Sequence, residues 1–247
     1  MKSRRVIANT AWFEKLYTGD VRTGPRMPWD IGMPQPAVRE LAERGEFVGE
    51  VLDIGCGYGD NATYLASRGI KVTGLDCAPS AVAVSRERAA SQGFEVTFEV
   101  ADATKLDGYE NCFDTVLDST LYHCLTSEER RQYLAAITRA ARPGARLHLF
   151  CFSNTVPNTF PAYRSASEEN LRETVGKDWT IVLLKPTVYA TGLSPKDLHA
   201  SVQAMTSHEI DISGLTTLET DSKGNALVPV WQLKAVLPAG RASEPRD

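Results

Sequence analysis

Residues Val51-Leu52-Asp53-Ile54-Gly55-Cys56-Gly57-Tyr58-Gly59-Asp60 constrain this chain more than any other stretch. Val51 to Ile54 is a short apolar run, the mark of a strand buried on both faces of a parallel sheet. Three glycines at alternate positions interrupt it, and Asn61 to Ser67 begins a helical pattern. A strand that feeds a glycine-rich turn and then a helix brings bare Cα atoms and backbone N–H groups to one point, where a ligand can lie against the main chain. Nicotinamide and flavin enzymes use a similar turn, so the acids have to narrow the choice. Asp53 stands two residues before the first glycine, and Val72-Thr73-Gly74-Leu75-Asp76 ends in another acid, 23 residues after Asp53. That is about where a carboxylate reaches a pair of ribose hydroxyls. A dinucleotide fold would want its third glycine at position 60, to let helix and strand pack closely. Here Asp60 stands there and the glycine is at 59.

The alternation continues down the chain. The pattern predicts strands at 50–54, 70–76, 95–100, 112–117 and 145–152, with helices at 60–68, 79–92 and 127–142. Pro79 opens the second of these helices, and Pro143-Gly144 reads as the stop of the third. Trp179 to Leu184 and Leu227 to Leu237 read as two further strands. The expected fold is α/β: a Rossmann-like, doubly wound, mostly parallel seven-stranded sheet with its last strand antiparallel. Asp53, Asp76, Asp102 and Asp118 all fall at predicted strand ends, where such a sheet binds its ligands.

Residues 1–45 form an N-terminal segment: an amphipathic helix over 9–19, a loop from Gly24 to Pro36 holding four prolines, and a helix from Ala37 to Arg44 stopped at Gly45. Trp29 in that loop is either a lid over the site or a staple fixing the segment to the core. The main domain is 46–237. It includes a Pro/Ser/Asn-rich loop at 153–166, a helix capped by Ser167 and running to about Val175, and an insertion at 187–226. The insertion holds one helix, 195–207, and a polar turn at Asp221 to Asn225, and is placed over the sheet edge where a substrate pocket is built. Residues 238–247 read as a mobile tail.

Net charge of −4 gives no general attraction to phosphate backbones or anionic lipid, so neither nucleic acid nor membrane is an expected partner. No apolar run approaches the ~18 residues that span a bilayer, and the basic start, Met1 to Arg5, has no apolar stretch behind it to make a signal peptide. Cys56, Cys77, Cys112, Cys124 and Cys151 are odd in number and contain no C-x-x-C pair. They read as reduced thiols in a cytoplasmic protein, with neither a disulfide framework nor a metal site.

With these residues placed, the spacing D-x-G-x-G-x-G resembles motif I of the class I S-adenosylmethionine (SAM) methyltransferases, and the resemblance extends over roughly residues 28–185. It is carried by Pro28-Trp29-Asp30-x-Gly32-x-Pro34-x-Pro36, VLDIGCGYGDNATYLASRG at 51–69, VTGLDCAPSAV at 72–82, FDTVLDSTLYH at 113–123 and PGARLHLFCFS at 143–153. The Pro-Trp-Asp loop points to the small-molecule branch with thiol, thiopurine and halide methyltransferases and bacterial enzymes that methylate aromatic hydroxyls or nitrogens. The resemblance implies that Gly55 and Gly57 lie against the cofactor's amino-acid portion, Asp76 binds the ribose hydroxyls, Asp102 and Ala103 meet the adenine edge, and the backbone at Asp118-Ser119 meets the methionine ammonium. Trp29, Asp53 and Asn61 join this cofactor set, and Cys56 and Cys77 join it through their backbone. The insertion matches no pattern in the branch, so the resemblance does not extend to the acceptor.

The activity so implied is transfer of a methyl group from SAM, leaving S-adenosylhomocysteine, to a small, partly apolar acceptor, a thiol or an aromatic hydroxyl or other heteroatom. Such a displacement requires alignment and exclusion of water, and a hydroxyl acceptor must also lose a proton. His123, five residues past Asp118, is the candidate base, with packing against the cofactor as its other reading. Tyr17 and Tyr122 are candidate pocket walls, with core packing as the other reading of each and the one favoured by residue type alone. His148 reads as structural; His199 and His208 fall in the insertion helix region. Enzymes that methylate exocyclic amino groups carry Asn/Asp-Pro-Pro-Tyr where this chain has Asp118-Ser119-Thr120-Leu121. The competing functions are a silent SAM-binding sensor or scaffold and a nicotinamide-dependent oxidoreductase. Oligomeric state is not legible.

Overall fold

The computed structural model describes residues 10–19, 27–156, 158–159, 165–205 and 211–239. The expectations for Gly24 to Arg26, for His208 and for the tail beyond residue 239 lie outside the described residues.

Seven strands form one sheet: β1 (Glu50–Ile54), β2 (Lys71–Asp76), β3 (Thr97–Val100), β4 (Phe113–Ser119), β5 (Ala141–Phe152), β6 (Thr180–Ala190) and β7 (Leu227–Val236). Their order is β3-β2-β1-β4-β5-β7-β6. The pairs from β3 through β5 are parallel, while β7 runs antiparallel to both of its neighbours. The expected architecture is what forms.

Alternation along the strands sorts the side chains into two cores. Leu52 and Ile54 of β1 and Leu147 and Leu149 of β5 face Tyr133 and Ile137 of helix α5 (Ser127–Ala140) and Leu171 of α6 (Glu168–Thr174). Val51, Leu117 and Phe150 face the other way. They meet α2 (Pro36–Glu43), α3 (Asp60–Ser67), α4 (Pro79–Ser91) and α7 (Pro195–Met205) through Leu41, Leu65, Val82 and Leu198. Each such aliphatic side chain removed from water contributes about 1.5–3 kcal/mol. A first helix, α1 (Thr10–Thr18), packs against α4, where the Glu14 carboxylate accepts from the Ser80 amide and hydroxyl.

Gly59 shows how the turn after β1 is closed. Its φ is +76°, and a Cβ there would lie 2.6 Å from the Phe98 ring and 2.8 Å from Ser85 Cβ. The close approach of strand and helix that a glycine at 60 would have supplied is made one place earlier. Asp60 is thereby free to sit in the first turn of α3, where the helix dipole favours an acid.

Several boundaries differ from expectation, each for a tertiary reason. Helix α5 is opened by a capping box, with Thr126 and Glu129 bonding each other's amides, and ends at Ala140. Pro143-Gly144 therefore stands inside β5 at a register shift against β4, with the Gly144 amide donating to Leu237 O. The dipeptide sits in a break of the β4–β5 pairing, between Ala141 and Arg146, and is not a helix stop. Strand β4 runs through Ser119, so Asp118 lies within the strand. Strand β6 continues six residues past Leu184, because Pro186 to Ala190 pair with Trp231 to Leu227 of β7. Proline is tolerated there because β6 is a sheet edge. Residues 187–190 are thus strand, and the excursion between β6 and β7 starts at Thr191.

Candidate active site

A cavity of about 550 Å³ opens at the carboxyl ends of β1, β2 and β4, where a doubly wound sheet takes its ligands. Its floor is the Gly55–Asp60 turn, and its walls are the ends of β2 and β3 and the turn after β4. Thr10, Trp12, Phe13 and Tyr17 of α1, together with Trp29, cover it, and Leu198 and Val202 of α7 close the far side.

Asp76 is 7% exposed and lines the cavity while accepting hydrogen bonds from the Gly57 and Ala78 amides, each at 2.9 Å. Burial raises its pKa and those amides partly offset the rise. The carboxylate therefore holds the glycine turn in shape as well as facing the cavity. Gly57 itself has φ +54°, and a Cβ there would meet only the Tyr17 hydroxyl, at 3.1 Å. Asp102 and Ala103 line the β3 side. Burial acts to raise the Asp102 pKa, but bonds from Thr104 and the Lys105 ammonium hold it below its ordinary value. Cys56, Cys77 and Cys124 also reach the wall. Burial pushes the Cys77 thiol up to about 12, which keeps it protonated and a poor nucleophile.

Asp53 lies below the floor. It is 0% exposed, and neither carboxylate oxygen has a hydrogen-bond partner among the described residues. Burial, then the charges of Asp118 and Asp76, push its pKa up to about 7, with the Ala62 amide of α3 offsetting part of the rise. Asp118 also does not reach the cavity. Its carboxylate accepts from the Leu121 amide (2.7 Å), the Tyr122 amide (3.1 Å) and the Tyr133 hydroxyl (2.8 Å). It latches the turn carrying Thr120 to Cys124, in which the β-branched Thr120 is held at φ +78°. Ser119, next along, does line the cavity.

Tyr122 does not line the cavity, correcting its expected place as a wall. It is 0% exposed, with the Arg130 guanidinium over its ring at 4.7 Å and its hydroxyl 2.8 Å from the Thr174 hydroxyl. His123 does face the cavity, 5% exposed and stacked on Phe152 at 3.7 Å between ring centroids. Its Nδ1 accepts the Phe152 N–H at 3.3 Å, which places the proton of the neutral ring on Nε2. His148 and His199 do not line the cavity: His148 is buried beneath Glu46 with a pKa lowered by burial to about 4.

Tyr17 and Trp29 both reach the cavity, in edge contact with each other at 6.3 Å, and Tyr17 meets Tyr58 at 5.1 Å. Arg88 lies over the Tyr58 ring and bridges Asp30 (3.0 Å) and Asp60 (2.9 Å), tying the Pro-Trp-Asp loop to α3 and α4. A polar chain spans the opposite side. The Gln35 amide donates to Asn61 Oδ1 (2.9 Å), Asn61 Nδ2 donates to Ser119 Oγ (3.0 Å), and Ser119 bonds the Tyr189 hydroxyl. Gln35, Arg88 and Tyr189 were not selected by sequence reasoning, since none belongs to a motif. Only the strand alternation continuing past Pro186 could have flagged Tyr189.

A methyltransferase-domain family model matches residues 51–144. A 2-heptyl-1-hydroxyquinolin-4(1H)-one methyltransferase of Mycobacteroides abscessus is 42% identical over 185 residues, covering 73% of this chain and 82% of that protein. A structure solved for the conversion of a disulfide bond into a thioacetal group during echinomycin biosynthesis is 30% identical, with a TM-score of 0.76 over 94% of each chain. The Burkholderia thailandensis 1,6-didemethyltoxoflavin-N1-methyltransferase, solved with bound S-adenosylhomocysteine, shares the fold at 20% identity, with a TM-score of 0.55 over 82% of this chain and 77% of that one. The chain belongs to the SAM-dependent methyltransferases. Its site suits a cofactor bearing an ammonium and a sulfonium. An unpartnered buried carboxylate lies under the floor and further acids stand on the walls, while Lys105 is the only lysine or arginine on the cavity wall among the described residues. Among these residues no helix is long and apolar enough to cross a membrane.

Proposed function

We propose that this enzyme methylates an acidic hydroxyl on a small, largely apolar heteroaromatic acceptor. The observation carrying this reading is the makeup of the cavity. Its acids cluster at the glycine turn and strand ends, while Trp12, Phe13, Phe152, Leu198, Val202 and Val228 supply an apolar remainder. The hydroxyquinolinone methyltransferase at 42% identity supports the same class of acceptor.

Gly55 and Gly57 would hold the cofactor's amino-acid portion, Asp76 its ribose, and Asp102 with Ala103 its adenine edge. Bound there, SAM supplies an electrophilic methyl carbon open to in-line displacement. The aromatic cover from α1 and Trp29 excludes water, which strengthens every charge interaction inside. His123, with Nδ1 engaged by the Phe152 amide, stands on the cavity wall to orient an anionic acceptor oxygen and does not take the acceptor's proton. An acceptor acidic enough to ionise in water needs no base.

The test is formation of S-adenosylhomocysteine across a panel of hydroxylated heteroaromatics, phenols of graded acidity, and thiols. Turnover should favour acidic heteroaromatic hydroxyls. A preference for thiols would replace this reading with sulfur methylation, the alternative favoured by the likeness to the echinomycin-pathway structure. Tight SAM binding without turnover across the panel would make the protein a sensor or scaffold.

A further inference from the structure

We propose that Gln35 is a cofactor-binding residue whose Oε1 accepts a hydrogen bond from the amino group at the cofactor's amino-acid end. The inference rests on placing the cofactor in the cavity described above.

Gln35 sits between Pro34 and Pro36 at the start of α2, is 5% exposed, and lines the cavity. Its backbone is fixed on both sides. The N–H donates to Asn61, and the carbonyl accepts from the Val38 and Arg39 amides. The side-chain orientation is also fixed, because Nε2 lies 3.0 Å from the Ala190 carbonyl and only the NH₂ of an amide can donate there. The oxygen is therefore turned away from Ala190, and it has no hydrogen-bond partner among the described residues. Native structures pair nearly all such buried acceptors, so one left without a partner on a ligand cavity calls for a donor.

The chemistry of that donor follows from the neighbours. Asn61 accepts from Gln35, and the next amide along, that of Ala62, faces Asp53, whose two oxygens are also unpartnered. An unpartnered acceptor on the wall, with a buried carboxylate beneath the floor beside it, suits a primary ammonium, which offers three donors and a positive charge. The sheet order gives the direction. Asp102 stands after β3 and Asp76 at the end of β2, whereas the chain from Gln35 through Asn61 to Ser119 lies across the ends of β1 and β4. A cofactor with its adenine at β3 and its ribose at β2 brings its amino-acid end to Gln35.

The experiment compares calorimetric dissociation constants for S-adenosylhomocysteine and its desamino analogue in the wild type, Gln35→Met and Gln35→Ala. The wild type should prefer S-adenosylhomocysteine, and both variants should narrow that preference by on the order of tenfold. The ratio is internal to each protein, so a partly loosened variant still reports. Equal weakening of both ligands would show that Gln35 only props the loop, and an unchanged preference would mean that Oε1 meets water; either result overturns the proposal. Asp76→Ala is the control on the cavity: it should weaken both ligands, because it removes the ribose acceptor and loosens the Gly57 turn. If Asp76→Ala affects neither ligand, the cofactor placement has failed, and the assignment of Gln35 falls with it.

Discussion

Replacing Asp53 by Asn should make the ligand-free protein more stable, and increasingly so as pH rises. In the folded chain Asp53 is fully buried, without a hydrogen bond on either oxygen, and its pKa is about 7 against an ordinary 3.8. Below pH 3.8 the carboxyl is neutral in both folded and unfolded chains, and its contribution is fully present. Between the two values the unfolded chain ionises freely while the folded chain keeps its proton, so stability falls with pH. Roughly three pK units at 1.36 kcal/mol each come to about 4 kcal/mol lost by pH 8. Asp118, raised to about 6 by burial, works in the same direction. His148, lowered to about 4, works against both, since the unfolded imidazole holds its proton to higher pH. The wild-type curve is thus a sum of opposing slopes, and the informative quantity is the difference between variant and parent. Urea and thermal unfolding of both proteins from pH 4.5 to 8.5 should show a stability gap that widens toward high pH. At pH 8 it should reach on the order of 10 °C in Tm for a chain of this size. A gap that does not change with pH would refute the argument that Asp53 is an uncompensated buried acid. The same variant should bind SAM more weakly, because the charge that destabilises the empty protein is the one that suits the ammonium.

His123→Ala should lower kcat/KM for an acidic hydroxyl acceptor by less than about tenfold and leave the acid limb of the pH profile in place; a loss of 10²–10⁴ together with that limb would make His123 a base after all. Arg88→Met frees Asp30 and Asp60, so the KM for SAM should rise with kcat little changed, and limited proteolysis should cut the loop before α2 faster. Gly59→Ala forces a Cβ to within 2.6 Å of the Phe98 ring at φ +76°, and should cost about 3 kcal/mol, read as a fall in Tm without any change in the acceptor preferred.

The parallel half of the sheet was legible because its signals are local. A buried strand, a glycine turn and a capped helix each announce themselves within ten residues, and Asp76 and Asp102 follow from that spacing onto the cavity wall, whereas Asp53, expected in the cofactor set, lies beneath the floor. What was misread depends on partners far away in the chain. The true end of β6 is set by pairing with β7, which overrode the punctuation at Pro186. Of the two readings open for Tyr122, core packing holds: its hydroxyl meets that of Thr174, 52 residues away, and the ring is buried. Asp118 reads as a strand-end acid, but the strand runs one residue further and its carboxylate is consumed by the turn it holds. Gln35 carries no local mark. Its meaning comes from the Ala190 carbonyl, 155 residues away.

The place of β7 between β5 and β6 has a consequence for biosynthesis. Among the described residues strand β6 pairs only with β7, so it cannot join the sheet while residues 227–236 are still inside the ribosome. After Ala190 leaves the exit tunnel, everything from Thr191 to Ala226 must emerge before β7 does, a delay of a few seconds at about 5–20 residues per second. Over that interval β5 presents an open edge, and the side chains that will meet Trp231 and Leu233 are exposed to water. The nascent polypeptide is then a natural client for a holding chaperone, and it ceases to be one when Val236 emerges and the gap is filled.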